Sequence, residues 1–109
     1  MMIGTKDKAE SEFQQQAKKL IESKGGYVIK VHVSAYQSQG EPDLVCCYLG
    51  RFVAFELKVD GNKTSKLQDY KIHKIERAGG IAKSVYTLKE IEEALYEIFR
   101  VQSGSESKQ

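Results

Sequence analysis

The sequence predicts a small α/β domain. Three observations predict it: apolar runs of strand length, a two-residue turn tying two of them together, and helical periodicity in most of the remainder. Tyr27 to Val33 alternates, Leu44–Leu49 and Phe52–Val59 meet at Leu49-Gly50, and Ile81–Tyr86 is a fourth short run. The expected order is α-β-β-β-α-β-α. Three consecutive strands form an antiparallel unit, and a helical crossover delivers the fourth beside it. The expected architecture is thus a mixed four-stranded sheet flanked by helices.

Each element has a local reason. From about Lys8 to Lys24 the apolar residues Phe13, Ala17, Leu20 and Ile21 recur at helical spacing, and Gly25-Gly26 ends the helix. Tyr27, Ile29, Val31 and Val33 share one face of the first strand, with Val28, Lys30 and His32 on the other. Ser34 to Glu41 is a polar loop containing Gly40, and Asp60-Gly61-Asn62 marks a turn. Ser65-Lys66-Leu67-Gln68 has the form of a capping box, opening a helix that runs to Ala78 and closes at Gly79-Gly80. Thr87-Leu88-Lys89-Glu90 is a second such box, followed by Ile91, Ala94, Leu95, Ile98 and Phe99 at core spacing. Residues 1–8 read as a polar lead and 103–109 as a flexible polar tail, leaving 1–102 as one domain.

Composition narrows the function classes. With 109 residues, 40% hydrophobic and 29% charged, the chain suits one soluble domain with its own core. A net charge of +2 does not by itself argue for nucleic-acid binding, although 17 basic residues allow a local patch. No apolar run approaches the ~20 residues a membrane span needs, and there is no signal-peptide core. Cys46 and Cys47 are adjacent, so they point to opposite sheet faces and form no ordinary disulfide. A reducing cytoplasmic setting is expected.

The chemistry concentrates between Gly40 and Lys58. Gly40-Glu41-Pro42-Asp43 leads into one strand, and Phe55-Glu56-Leu57-Lys58 ends the next. With Leu49-Gly50 as the turn, Tyr48 pairs with Arg51, and counting outward sets Asp43 opposite Glu56. Directly opposed residues have Cβ atoms roughly 4.5–5.5 Å apart, so one divalent cation can bridge both carboxylates. Lys58, two residues beyond Glu56, lies on the same face. Charges in apolar strands are costly unless they hold a metal or do chemistry.

Two helices contribute further candidates. Glu10 lies three before Phe13 and seven before Ala17, on the buried stripe, whereas Glu12 lies on the polar stripe with Gln16, Lys19 and Ser23. Glu10 is therefore the expected third acid. Gln68 shares a stripe with Ile72 and Ile75 and faces inward, although capping its own helix and reaching the sheet are competing tasks for one amide. His32 and His73 have no second ligand at metal-binding spacing and are expected to be solvated. Lys63, Lys66, Lys71, Lys74 and Arg77 follow the hairpin and decorate the second helix, where they flank the site. Lys30, Lys63 and Lys66 are the candidate DNA contacts.

Two or three carboxylates suit Mg²⁺ or Mn²⁺, with the Leu57 backbone carbonyl as a further ligand. Beside the ion, Lys58 is placed to orient an attacking water or to stabilise charge on phosphorus. This donor set suits phosphodiester hydrolysis.

Pro42-Asp43 followed by Glu56-Leu57-Lys58 resembles the PD-(D/E)xK nucleases. Adding Glu10-Ser11-Glu12-Phe13-Gln14, Gly25-Gly26-Tyr27-Val28, Gly40-Glu41-Pro42-Asp43-Leu44 and Leu67-Gln68, the chain resembles the stand-alone VRR-NUC (virus-type replication-repair nuclease) domains common in phages, over roughly residues 8–86. The resemblance implies a restriction-endonuclease-like core and a Mg²⁺- or Mn²⁺-dependent endonuclease. By it, the catalytic set is Glu10, Asp43, Glu56, Lys58 and Gln68, with Glu10, Asp43, Glu56 and Leu57 around the metal. It also implies a homodimer cutting branched DNA, such as Holliday junctions or flaps. Glu41 stands where many relatives have a neutral residue. Two other readings are a non-cleaving DNA-binding or assembly module of the same fold, and a small sequence-specific restriction enzyme.

Overall fold

The computed structural model describes residues 5–32, 40–59, 61 and 63–107. Helix α1 (Thr5–Ser23) leads into strand β1 (Tyr27–Lys30). Strands β2 (Leu44–Tyr48) and β3 (Arg51–Leu57) follow, then α2 (Lys66–Arg77), β4 (Ile81–Val85) and α3 (Leu88–Ser107). The order is α-β-β-β-α-β-α, as the periodicities predict. The four strands form one sheet in the order β1-β2-β3-β4; β1, β2 and β3 are antiparallel and β4 runs parallel to β3. The parallel pair follows from the crossover through α2, which returns the chain to the same end of the sheet.

The β2–β3 turn sets the register. Leu49 and Gly50 have φ of 51° and 78°, both left-handed, as a type I′ hairpin turn requires. Tyr48 pairs with Arg51 and Leu44 with Phe55, the register expected from a two-residue turn. Alternation then sorts the side chains. Leu44, Cys46, Tyr48, Val53, Phe55 and Leu57 face a core shared with Phe13, Ala17 and Ile21 of α1 and Ile91, Leu95 and Ile98 of α3. The opposite face carries Val45, Cys47, Phe52, Ala54 and Glu56. There α2 covers part of the sheet: Gly80, just after it, sits so tightly against Ile75 and Phe52 that an added Cβ would lie 2.9 Å and 3.1 Å from their side chains.

Several boundaries differ from expectation. β1 stops at Lys30, although the Val31 N–H still donates to the Asp43 carbonyl at 2.9 Å; Val33 lies outside the described residues. Phe99, expected in the core, is 51% exposed, because Ile91, Ala94, Leu95 and Ile98 already fill the stripe that faces the sheet. The tail expected from Ser103 instead continues α3 to Ser107. Gln102 anchors that last stretch, its Nε2 donating to the Leu49 carbonyl at 2.9 Å. The Thr87 capping box forms as predicted, with Thr87 N–H to Glu90 Oε1 at 3.0 Å and Glu90 N–H to Thr87 Oγ1 at 3.1 Å.

Candidate active site

The site is assembled where α1, the far end of the β2–β3 ladder and the first turn of α2 meet. Gly40 makes the meeting possible. Its φ of +82° is left-handed, and a Cβ there would lie 2.7 Å from Leu67 Cγ and 3.1 Å from the Leu67 carbonyl. Only glycine lets the 40–43 segment press directly on the start of α2. Pro42 is buried and fixes the direction in which Asp43 enters the sheet.

Asp43 is held at backbone and side chain. Its carbonyl accepts from Val31 N–H, and its Oδ2 accepts from the Leu57 N–H at 2.7 Å. The latter bond extends the β2–β3 ladder through a side chain and aims the carboxylate at β3. Glu56 is 5% exposed, and its carboxyl lies within hydrogen-bonding reach of that of Asp43. Its pKa is pushed up to about 8, first by burial, then by the hydrogen bond to and charge of Asp43, with Glu10 adding to the rise and Lys58 opposing it.

Lys58 is 8% exposed. Its N–H donates to the Val85 carbonyl at 2.9 Å, holding the residue beside β4 after β3 has ended. Its Nζ donates to Gln68 Oε1 at 2.6 Å. The same Oε1 accepts the Ser65 N–H at 3.0 Å, while the Gln68 N–H donates to Ser65 Oγ at 3.1 Å. Capping and reaching the sheet, expected to compete, are therefore compatible: one carbonyl oxygen has two lone pairs and serves both donors. Thr64 Oγ1 and Ser84 Oγ, 2.7 Å apart, tie the segment before the cap to β4.

A cavity of about 230 Å³ brings Glu10, Asp43, Glu56, Leu57, Lys58 and Gln68 together, with Gln14 as a seventh member. Sequence reasoning passed over Gln14, although it lies one helical turn from Glu10 at i+4, the spacing that puts two side chains on one face. The sequence shows Ser65 only as a helix cap, and its link to Lys58 through Gln68 depends on contacts that no local pattern encodes. Glu12 is exposed and borders a neighbouring depression with Phe13, Gln16 and Lys58. Glu41 turns to Lys71, 2.8 Å away, and does not line the cavity. His32 and His73 are exposed. Lys30, Lys63 and Lys66 are also exposed and lie outside the cavity. Lys74 is placed over the Tyr70 ring, 5.6 Å from its centroid.

The donor set fits a hard divalent cation. Ionised Glu10, Asp43 and Glu56 against protonated Lys58 leave two net negative charges around one small cavity. In metal-free protein that excess is relieved by a proton, as the raised Glu56 pKa records, and an oxygen-seeking ion is the natural replacement for it. Among the described residues no three His, Cys, Asp or Glu side chains converge as a ready ligand cluster, so the Asp43–Glu56 pair is the nucleus of such a site.

Neither a protein-family model nor a curated protein matches the chain by sequence. Its backbone does match solved structures. A VRR_NUC domain superposes with a TM-score of 0.67 at 24% identity, covering 80% of this chain and 94% of that one. A VRR_NUC domain protein gives 0.57 at 19% identity, covering 92% and 89%. Hjc from Archaeoglobus fulgidus, a Holliday junction resolvase, gives 0.58 at 17% identity, covering 71% and 67%. The chain therefore has the VRR-NUC, restriction-endonuclease-like fold.

Proposed function

We propose that this chain is a Mg²⁺- or Mn²⁺-dependent endodeoxyribonuclease that cuts branched DNA as a homodimer. The observation that carries the reading is the pairing of half-buried Asp43 with buried Glu56 at a strand end, beside a lysine that Gln68 clamps, all in one cavity. Similarity in fold to VRR_NUC domains and to a Holliday junction resolvase supports the same chemistry and the choice of branched DNA. When bound, the metal supplies Lewis acidity toward a phosphoryl oxygen and a more acidic water. Asp43 and Glu56 would hold it, with Glu10 and the Leu57 carbonyl as further donors.

The chain's own groups do the rest. Lys58 Nζ has donors left after its bond to Gln68 and is positioned to hold an attacking water or a phosphate oxygen. Gln68 spends its oxygen on Lys58 and the helix cap, so only its amide NH₂ remains to contact substrate. Lys63 and Lys66, just before and at the start of α2, are assigned to the phosphate backbone, with Lys30 at the end of β1.

The test is direct. Purified protein with Mn²⁺ is incubated with duplex, flap and four-way DNA, alongside Lys58→Ala. Cleavage of branched substrates, lost in the variant, is expected. Failure to cut any of them would leave a DNA-binding module, and cutting of one duplex sequence alone would indicate a restriction enzyme.

A further inference from the structure

The depression that borders the candidate active site is not explained by it. Its volume is about 530 Å³, within the range of small-ligand sites, and Lys58 lines both hollows. It lies off the C-terminal ends of the parallel strands β3 and β4, where Lys58, Val59 and Tyr86 continue the chain, and ligands of open α/β sheets gather at that end. Burial separates its floor from its rim. Ala9, Phe13, Val59 and Leu88 are buried or half-buried and apolar, whereas Glu12, Gln16 and Thr87 are exposed and polar. Tyr86 lines it as well and is 44% exposed. Its backbone is held where α3 begins, since the Tyr86 N–H donates to Glu90 Oε1.

We infer that this depression seats an unpaired nucleobase of the DNA strand whose phosphate lies at Lys58, with Tyr86 as the stacking surface. The lining is the first reason. A base has flat apolar faces and hydrogen-bonding edges, which an apolar floor, an aromatic ring and a rim of Gln16, Glu12 and Thr87 complement. Charge is the second. Among the described lining residues the charged side chains are Lys58 and Glu12, which cancel, and the Glu12 carboxylate repels a phosphate. The N–H groups of Tyr86, Thr87 and Glu90 are spent on the α3 cap, so the helix start offers no anion site either. The uncharged part of a nucleotide is thus the occupant that fits. Continuity is the third reason: with Lys58 shared, a strand that sets a phosphate in one hollow brings a neighbouring base to the other. A base inside a duplex must leave its stack to arrive there, which consumes much of what stacking on tyrosine returns. Branch points with a base already unpaired are therefore favoured over fully paired junctions. The inference rests on the branched-DNA reading, but its test measures binding in EDTA, so it fails separately from cleavage.

The full chain is titrated in EDTA with a fully paired four-way junction and with the same junction carrying one unpaired nucleotide at the branch. The fluorescent base 2-aminopurine is placed at successive positions around the branch in each. Tyr86→Ala, Tyr86→Phe and, as a control on α3, Tyr96→Ala are compared with wild type. Wild type should bind the junction with the unpaired nucleotide about tenfold or more tighter, and should change 2-aminopurine emission at one or two positions only. Tyr86→Ala should lose both effects, whereas Tyr86→Phe, which keeps the ring, and Tyr96→Ala should retain them. The affinity ratio should hold between about 50 and about 200 mM salt, because a base carries no charge. Equal affinity of wild type for the two junctions, no position with altered emission, or a Tyr86→Ala protein that behaves like wild type would each overturn the proposal. A ratio that collapses with added salt would overturn it in favour of a phosphate site. Cleavage of branched DNA without any Tyr86-dependent preference would sink this inference alone, and a Tyr86-dependent preference without cleavage would sink only the nuclease reading.

Discussion

Without metal, Glu56 should make the protein less stable as pH rises, and Glu56→Gln should remove that penalty. In the folded state its carboxyl titrates near 8, against an unfolded value near 4.5. A raised carboxylate pKa means that the folded state holds the proton more tightly. The associated stability is complete below the unfolded value and is lost as pH climbs from there through 8. Linkage over that window gives a loss of about 3 kcal/mol by pH 7 and about 4 kcal/mol by pH 8. Glutamine keeps the shape and offers Asp43 an amide donor in place of the shared proton. The assay is urea unfolding in EDTA between pH 5 and 9. Wild type should approach Glu56→Gln at pH 5 and fall below it by about 3 kcal/mol near neutrality. Adding Mn²⁺ should restore wild type and leave the variant almost unchanged, because the ion substitutes for a proton that glutamine does not need. Curves for the two proteins that run parallel at every pH would refute the premise that Asp43 and Glu56 are forced together at the cavity floor.

Lys58→Ala should fold and bind metal yet lose on the order of 10²–10³ in cleavage rate, measured in single turnover on a four-way junction. Ser65→Ala should cost about 1 kcal/mol of stability by urea unfolding and lower kcat more than it raises KM, with Ser65→Thr recovering both, since the cap also steadies the oxygen that holds Lys58. Gly40→Ala should lower Tm by several degrees and reduce cleavage as well, because its Cβ collides with Leu67 and pushes Asp43 away from Gln68. Leu49→Asn should raise stability by about 0.5–1 kcal/mol, since asparagine tolerates the left-handed first turn position better than leucine.

What the sequence made legible follows the range over which each constraint acts. A two-residue turn fixes every pairing of its hairpin, so Leu49-Gly50 was enough to put Asp43 opposite Glu56 from the chain between them alone. Glycine pairs and capping boxes mark helix ends locally, and α2 and the start of α3 fall where they indicate. Periodicity separated Glu10 from Glu12 because one helix face is buried and the other is not. The same signal was silent on coverage. It showed that β1 alternates but not which of its faces would meet a helix, and so Tyr27 and Ile29, apolar yet open, could not be told from core. Phe99 failed for the same reason: the spacing suits burial, but Ile91, Ala94, Leu95 and Ile98 already fill the stripe that meets the core. The Gln68 conflict was decided by distance. Capping needs its oxygen near Ser65, the contact across the cavity needs it near Lys58, and only the tertiary approach of α2 to the end of β3 brings both donors to one atom. The position of α2 therefore sets the geometry of the candidate site, and the contact that fixes it, Gly40 against Leu67, belongs to the same short segment that delivers Asp43.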